Sequence, residues 1–279
     1  MRYFSLAISV LYALPCTAQE AATQEDLLSA ASQNPGIPAA SQPLFQMPMQ
    51  IRAASDIPFW TSEFTFVRVS YSQRDDASDV TYWTVDYPDA DVAFTEQVRH
   101  LTGLSTDPGG RIIKLTDPSL GQYPFIYMVE GGYIQLTDEE AVALRSYLLG
   151  GGFLMVDDFW GDEEWTHLSA EFRKVFPERD IIEIPADLEV FRSYFQIDAS
   201  LPVPGVRDVM INDVQGTPFQ ETIYRGLIGD DGRLMAIFCH NADFGDGWEH
   251  ASSVAYPVAF SFGRAIPMGI NIVVYALSH

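Results

Sequence analysis

The stretch that decides the fold runs from Leu136 to Trp165 and has the sequence LTDEEAVALRSYLLGGGFLMVDDFWGDEEW. Thr137 and Glu140 have the spacing of a capping box, which predicts the start of a helix. Apolar residues then recur at three- and four-residue intervals, as is typical of one buried helix face. Three glycines at 150–152 end the helix, and the apolar run FLMV after them predicts a strand that is covered on both faces.

Segments with strand or helix patterns lie on both sides of this stretch. The predicted strands are Phe64–Tyr71, Arg111–Leu115, Pro124–Val129, Phe153–Val156 and Ile181–Ile184. Four helices are predicted: one that ends at Thr102, then Asp138–Leu149, Glu163–Val175 and a closing helix from near Phe262. Asp89 or Asp91 can cap the first helix, and Phe94, Val98 and Leu101 are expected on its inner face. Strands that alternate with helices of this length predict an α/β fold, a doubly wound and mostly parallel sheet flanked by helices. Two later strands around the turn Gly229–Gly232 predict an antiparallel hairpin toward the C-terminus.

Composition limits the classes of partner. The chain has 279 residues, is 47% hydrophobic and carries a formal net charge of -22. Such a chain can bury a large core, but its acidic surface argues against nucleic acid or an anionic membrane as a partner.

The N-terminus has the pattern of a secretory signal peptide at residues 1–18. Arg2 precedes a short apolar core, and Cys16-Thr17-Ala18 supplies small residues for cleavage after Ala18. A lipoprotein signal through Cys16 is the alternative, although Pro15 fits it poorly. We therefore expect a periplasmic or secreted protein with no integral membrane segment after cleavage, an Ala/Gln/Pro-rich linker at residues 19–58 and a single domain at 59–279.

Cysteine usage argues against a thiol enzyme. Cleavage would leave Cys239 as the only cysteine, and its apolar surroundings predict a buried small side chain. No cysteine or serine occupies the turns after the predicted strands, so we expect no nucleophile elbow.

Several strings together resemble a known family. YPDADVAFTEQV, YPFIYMVEGGYIQLTDEEAVALRSYLLGGGFLMVDDFWGDEEW, IFCHNADFGDGWE and MGINIVVYAL are similar to the bacterial domain-of-unknown-function family 4159, in order from about Thr61 to Leu277. The resemblance implies a flavodoxin-like fold related to class I glutamine amidotransferases, in an exported or envelope-anchored protein. It supplies no catalytic residues.

Polar residues follow the predicted strands where an open parallel sheet binds its ligands. These candidate binding residues form an acidic rim: Asp86, Asp89, Glu130, Asp157, Asp158, Trp160, His240, Asn241 and Asp243. Clustered carboxylates can act as an acid/base pair or hold a divalent ion. For Asp157 and Asp158 the alternative is that one caps the next helix while the other is solvated. Adjacent strand residues point to opposite faces, so we do not expect both to reach one ligand.

The polar segment Asp243–His250 is a weaker candidate for a metal site. Asp243, Asp246 and Glu249 could surround Ca²⁺ or Mg²⁺ in a loop, whereas ordinary turn chemistry explains the same residues more simply. The histidines lack the spacing of a zinc pair, and we assign no other cofactor.

Two functions therefore remain open. The first is a non-catalytic binding module of the bacterial cell envelope, with a carbohydrate, peptide or protein as its ligand. The alternative is a carboxylate- or metal-dependent hydrolase that acts on an envelope carbohydrate or peptide. A purely structural partner in a larger assembly is a third hypothesis.

Overall fold

The structure is a computed structural model, and it describes residues 64–75, 78–215, 218–254 and 256–279. The predicted signal peptide, the linker and the start of the domain at Phe59 lie outside the described residues. Within the described ranges, seven strands form one sheet in the order β2-β1-β3-β4-β7-β6-β5. The strands are β1 Phe64–Val69, β2 Thr106–Ile113, β3 Phe125–Met128, β4 Phe153–Phe159, β5 Ile182–Glu183, β6 Ile223–Ile228 and β7 Leu234–His240.

Five of these strands are parallel, and the last part of the sheet is antiparallel. β2, β1, β3, β4 and β7 pair in parallel, whereas β6 runs antiparallel to both β7 and β5. The predicted α/β class, the mostly parallel sheet and the antiparallel hairpin are therefore confirmed.

Helices flank the sheet. They are α1 Asp89–Thr102, α2 Asp138–Leu149, α3 Gly161–Val175, α4 Val206–Gln215, α5 Phe244–Glu249 and α6 Ile266–Ser278. A helical turn at Val258–Phe260 and a π-helical turn at Ser261–Ala265 lead into α6. By length and composition alone, the segment Val258–Ser278 could cross a membrane. Most of the side chains of α6 are, however, buried in the domain core.

The predicted capping box is present at the start of α2. The Thr137 hydroxyl accepts the N–H of Glu140 at 3.2 Å, and the Glu140 carboxylate accepts the N–H of Thr137 at 2.9 Å. At the other end, a Cβ on Gly152 would lie 2.2 Å from the Tyr147 ring. This glycine is therefore required because the helix end packs directly on the start of β4.

Two large clusters, one on each face of the sheet, form most of the core, and a small third cluster contains Val209, Tyr256 and Phe260. Alternate residues of β1 divide between the two large clusters: Phe64 and Phe66 belong to one cluster, and Val67 and Val69 to the other. Every residue of β4 is buried, as expected of a central strand with helices on both sides.

Four details differ from the sequence predictions. β2 begins at Thr106 rather than Arg111, and β4 continues through Asp157 and Asp158 as far as Phe159. Leu101, predicted to face inward, is 41% exposed. The cap of α1 is Pro88, so that Asp89 and Asp91 lie in the first turn, where they favour the helix dipole instead.

Candidate functional site

The carboxyl ends of the parallel strands meet at one edge of the sheet, here called the acidic edge. It carries Asp86 from the connection after β1, Glu130 after β3, Asp157 and Asp158 at the end of β4, and Asp243 after β7. Because these residues come from four different segments, only the folded sheet brings them together.

The Asp157 carboxylate lies at the base of this edge and is fully buried. Its Oδ2 accepts hydrogen bonds from the Tyr127 hydroxyl at 3.0 Å and from the backbone N–H groups of Phe244 at 2.8 Å and Gly245 at 3.3 Å. Its Oδ1 is buried without any hydrogen-bond partner. Asp157 therefore holds the start of α5 against β4 and keeps one oxygen unsatisfied.

Asp158 turns away from the regular strand path. Its φ is +50°, and the register between β4 and β7 shifts between Val156 and Phe159. The Trp160 indole N–H donates to its Oδ1 at 2.8 Å. The left-handed residue interrupts the alternation of side chains along β4, and of the two aspartates only Asp158 joins the group of three carboxylates described next. Neither residue caps α3, whose N-cap is Trp160.

Three carboxylates converge at the acidic edge. Asp86, Asp158 and Asp243, here called the acidic triad, each offer an oxygen, and these oxygens all lie within 4.8 Å of one another. Asp158 and Asp243 are buried, and the Oδ2 atom of Asp86 is buried without a hydrogen-bond partner.

Gly245 allows Asp86 to come this close. A Cβ at that position would lie 2.1 Å from the Asp86 Oδ2, so no other residue fits without displacing the carboxylate. Gly245 also donates its N–H to Asp157, so one glycine contacts both Asp157 and Asp86.

The segment after β7 forms a helix and not the loop we predicted. Asp243 is the N-cap of α5, and its Oδ1 accepts the N–H of Asp246 at 2.7 Å. The three residues of the weak metal candidate therefore divide between two groups. Asp243 belongs to the acidic triad, whereas Asp246 and Glu249 form a second group with His250.

Burial and mutual repulsion raise the pKa values of the carboxyl groups at the acidic edge. Burial, followed by the charges of Asp246 and Glu249, raises the pKa of Asp86 to about 8. Burial raises the pKa of Asp157 to about 8 and that of Asp158 to about 7.

The remaining two carboxyl groups of the edge respond in the same direction. For Glu130, burial and then the charges of Asp158 and Glu164 raise the pKa to about 9. Burial also raises the pKa of Asp243 well above its usual range. The protein therefore holds several carboxyl groups that resist ionisation at neutral pH.

Backbone geometry marks the same edge. In the described part of the chain, the residues other than glycine with a left-handed backbone are Asp86, Glu130, Asp158 and Asn241, with φ between 50° and 60°. Such conformations are held by the surrounding structure and concentrate at functional sites.

The glycines after Glu130 have a packing role. A Cβ on Gly132 would lie 2.5 Å from the Glu164 side chain, and one on Gly131 would lie 2.8 Å from Val156. Glu164 in turn accepts the N–H of Trp160 at 2.6 Å. These glycines let the β3 connection pack against α3, which explains them without a phosphate ligand.

The other predicted rim residues lie outside the acidic triad. Asp89 is exposed in the first turn of α1. His240 is buried, stacks on Phe159 and Trp165, and contacts the Gly161 carbonyl oxygen at 2.9 Å.

Asn241 and Trp160 support neighbouring segments. The Asn241 side-chain oxygen accepts the N–H of Gly161 at 2.9 Å. Trp160 orients Asp158 through its indole N–H. Both residues therefore act on the loop between β4 and α3.

Sequence reasoning missed Arg68, a fully buried residue of β1. Its guanidinium donates to Asp91 at 3.0 Å and to the carbonyl oxygen of Val85 at 2.9 Å, which fixes the backbone next to Asp86. A single arginine within the apolar strand FTFVRV was the available signal, because a buried charge requires partners.

Two cavities lie near the ends of the sheet, and neither is lined by the triad. An open polar pocket of about 390 Å³ lies at the same edge, beside the ends of β1 and β2, and Tyr71 and Lys114 are among its lining residues. A groove of about 480 Å³ lies at the opposite edge, near Pro124 and Gly152.

The predicted burial of Cys239 is confirmed. Cys239 lies in β7 with no exposed surface, and burial raises the pKa of its thiol well above its usual range. A thiol in this state is a poor nucleophile.

Comparison with known proteins identifies one relationship. The sequence model of the family described as "Domain of unknown function (DUF4159)" matches residues 65–277, which include the whole acidic edge. No curated protein matches the chain.

Proposed function

The chain belongs to this family of unknown function, and we propose that it is a non-catalytic binding module that takes a positively charged ligand at its acidic edge. One observation carries the proposal. Asp86, Asp158 and Asp243 converge there, with Glu130 and Asp157 at the same edge, and within the described residues no lysine or arginine forms an ion pair with any of the five.

The energetics of the acidic edge favour a cationic ligand. Buried carboxylates repel one another and lose hydration, so they cost stability unless protons or other positive charges accompany them. A ligand that brings a positive charge removes this cost, and binding is coupled to stabilisation of the fold. Repulsion among the buried carboxylates therefore favours the binding of a cation at the acidic edge.

The strand order supports the same location. The parallel strands follow the order β2-β1-β3-β4-β7, which corresponds to that of flavodoxin-like sheets. We propose this flavodoxin-like, amidotransferase-like fold for the domain. Folds of this kind bind ligands outside the carboxyl ends of the strands, where the strand order reverses, and here that point lies between β1 and β3.

We further propose that the module acts in the bacterial cell envelope. The signal-peptide pattern at residues 1–18 supports export to the periplasm or beyond. The open pocket at the same edge of the sheet supplies room for a larger ligand, such as a lysine-rich segment of an envelope peptide or protein. A neutral carbohydrate is the contrasting ligand for the test.

Thermal unfolding of chelator-treated protein tests the proposal. We expect divalent cations, a polyamine or a lysine-rich peptide to raise the melting temperature, and neutral oligosaccharides to leave it unchanged. The Asp158→Asn variant should lose the response. Asp180→Asn, an exposed acid before β5 at the opposite edge, is the matched control and should keep it. If no cationic ligand stabilises the wild-type protein, the proposal fails.

A carboxylate-dependent hydrolase is the second candidate. Burial, followed by the charge of Asp158, raises the pKa of Glu130, so one group can hold a proton while the other is ionised. Assays on envelope carbohydrates and peptides test this function. Turnover that disappears in Glu130→Gln would favour a hydrolase over a binding module, and absence of turnover on all of these polymers would count against it.

A further inference from the structure

We infer that the acidic triad of Asp86, Asp158 and Asp243 is a site for one divalent metal ion, Ca²⁺ or Mg²⁺, bound through carboxylate oxygens. This inference rests on the proposed function, because it names the positively charged ligand that the acidic edge takes.

The spacing of the triad suits such an ion. Its oxygens all lie within 4.8 Å of one another. Oxygens on opposite sides of Ca²⁺ lie about 4.6–5.2 Å apart, and those around Mg²⁺ lie about 1 Å closer together. One ion can therefore contact all three carboxylates with little movement of the side chains.

The triad carboxylates are already oriented by groups around them. The Trp160 indole fixes Asp158, and the N–H of Asp246 fixes Asp243. Asp86 is held between Gly245 and the backbone that Arg68 anchors at Val85. Hydrogen bonds that orient metal ligands in this way strengthen binding, because less order has to be imposed when the ion enters.

Asp157 supplies an observation that is independent of the triad. It has no exposed surface, and its Oδ1 is without a hydrogen-bond partner. Its Oδ2 accepts the N–H of Gly245, the residue against which Asp86 packs, so the Asp157 carboxylate lies next to the triad. A buried carboxylate oxygen without a partner is costly, and a nearby ion or ion-bound water would offset that cost.

The chemistry of the donors selects the class of ion. Carboxylate oxygens favour hard cations such as Ca²⁺ and Mg²⁺, whereas zinc sites favour cysteine and histidine ligands. The neighbouring group of Asp246, Glu249 and His250 lacks an equivalent unsatisfied atom. Asp246 accepts the N–H of Val206 at 2.6 Å, and Glu249 pairs with His250 at 3.0 Å.

Isothermal titration calorimetry of Ca²⁺ and of Mg²⁺ into chelator-treated full-length protein tests the inference. We expect one ion per chain, and the two titrations identify the preferred metal. Asp158→Asn and Asp86→Asn each change a direct ligand, so each should weaken binding by at least the ~10–100-fold that follows the loss of an outer-shell partner. Asp180→Asn should bind as the wild type does. Asp86 is only partly buried, so its variant is expected to fold, and circular dichroism at pH 5 checks folding without relying on the ion.

The outcomes separate this inference from the function on which it rests. If neither metal binds but a polyamine or lysine-rich peptide does, the inference is overturned and the binding module stands. If no cationic ligand binds, both are overturned. Metal binding that persists unchanged in both Asp86→Asn and Asp158→Asn would place the ion elsewhere and overturn the inference.

Discussion

The buried carboxylate of Asp157 accepts the backbone N–H of Phe244 at 2.8 Å, and this hydrogen bond joins the end of β4 to the first residue of α5. Asp158, the next residue along β4, belongs to the acidic triad together with Asp243, the N-cap of α5. The hydrogen bond of Asp157 therefore joins two of the segments that supply the triad, the end of β4 and the start of α5.

Replacement of Asp157 separates its charge from its hydrogen bonds. Asp157→Asn keeps an oxygen that can accept the N–H of Phe244, whereas Asp157→Ala leaves buried donors without an acceptor. We expect the alanine variant to have a free energy of unfolding about 1–3 kcal/mol lower than the asparagine variant. Urea unfolding of both variants measures the difference. Equal stabilities would mean that these hydrogen bonds do not hold α5 in place.

Gly245 should be needed for the position of Asp86. In Gly245→Ala the new methyl group would lie 2.1 Å from the Asp86 Oδ2, so the carboxylate must move. We expect a loss of about 1–3 kcal/mol in stability together with weaker cation binding. Gly263→Ala is the matched control, since a Cβ there meets nothing within 4 Å. Equal effects of the two substitutions would show that the close approach is unimportant.

The stability of the metal-free protein should fall as the pH rises. The native state holds a proton on Glu130 up to about pH 9, whereas the unfolded chain releases it near the ordinary value of 4.5. Its contribution is therefore complete below pH 4.5 and is lost progressively toward pH 9.

Glu130→Gln tests this dependence directly. With a chelator present, the melting temperature of the variant should fall less than that of the wild type between about pH 5 and pH 8. This range lies between the unfolded and the folded pKa of Glu130, about 4.5 and about 9. The two proteins should agree more closely at the acidic end of the range. Parallel curves would indicate that Glu130 ionises normally in the folded protein.

Cys239 should be inert in the native protein. Its thiol has no exposed surface, and burial raises its pKa well above the usual range, so the reactive thiolate is scarce. In a Cys16→Ser background, we expect a thiol reagent to label Cys239 only after unfolding in urea. Rapid labelling of the native protein would contradict the buried position and would reopen a thiol-based activity.

Much of the fold could be predicted because local signals agreed with tertiary packing. The capping box at Thr137, the glycines after α2 and the apolar strand after them each indicate the same helix-to-strand unit. The acidic edge was also predictable, since carboxyl ends of parallel strands must meet. The helix-to-strand features depend on residues that are close together in the chain, whereas the location of the acidic edge follows from the general geometry of parallel sheets.

The geometry of the site could not be predicted, because it depends on contacts between distant segments. The left-handed turn at Asp158 interrupts the expected alternation of side chains along β4, and nothing in the sequence DDFWG requires that turn. Likewise, Asp243 caps a helix whose start is held by Asp157, a residue far back in the chain. Leu101 is exposed because the inner face of α1 is set by packing and not by periodicity alone.

The most direct test of the central claim is anomalous diffraction from crystals of the protein grown with Mn²⁺, which takes the same oxygen ligands as Ca²⁺ and Mg²⁺. We predict one strong peak at the acidic edge, within about 2.0–2.6 Å of carboxylate oxygens of Asp86, Asp158 and Asp243. No peak there, or a peak only at other carboxylates, would contradict the account.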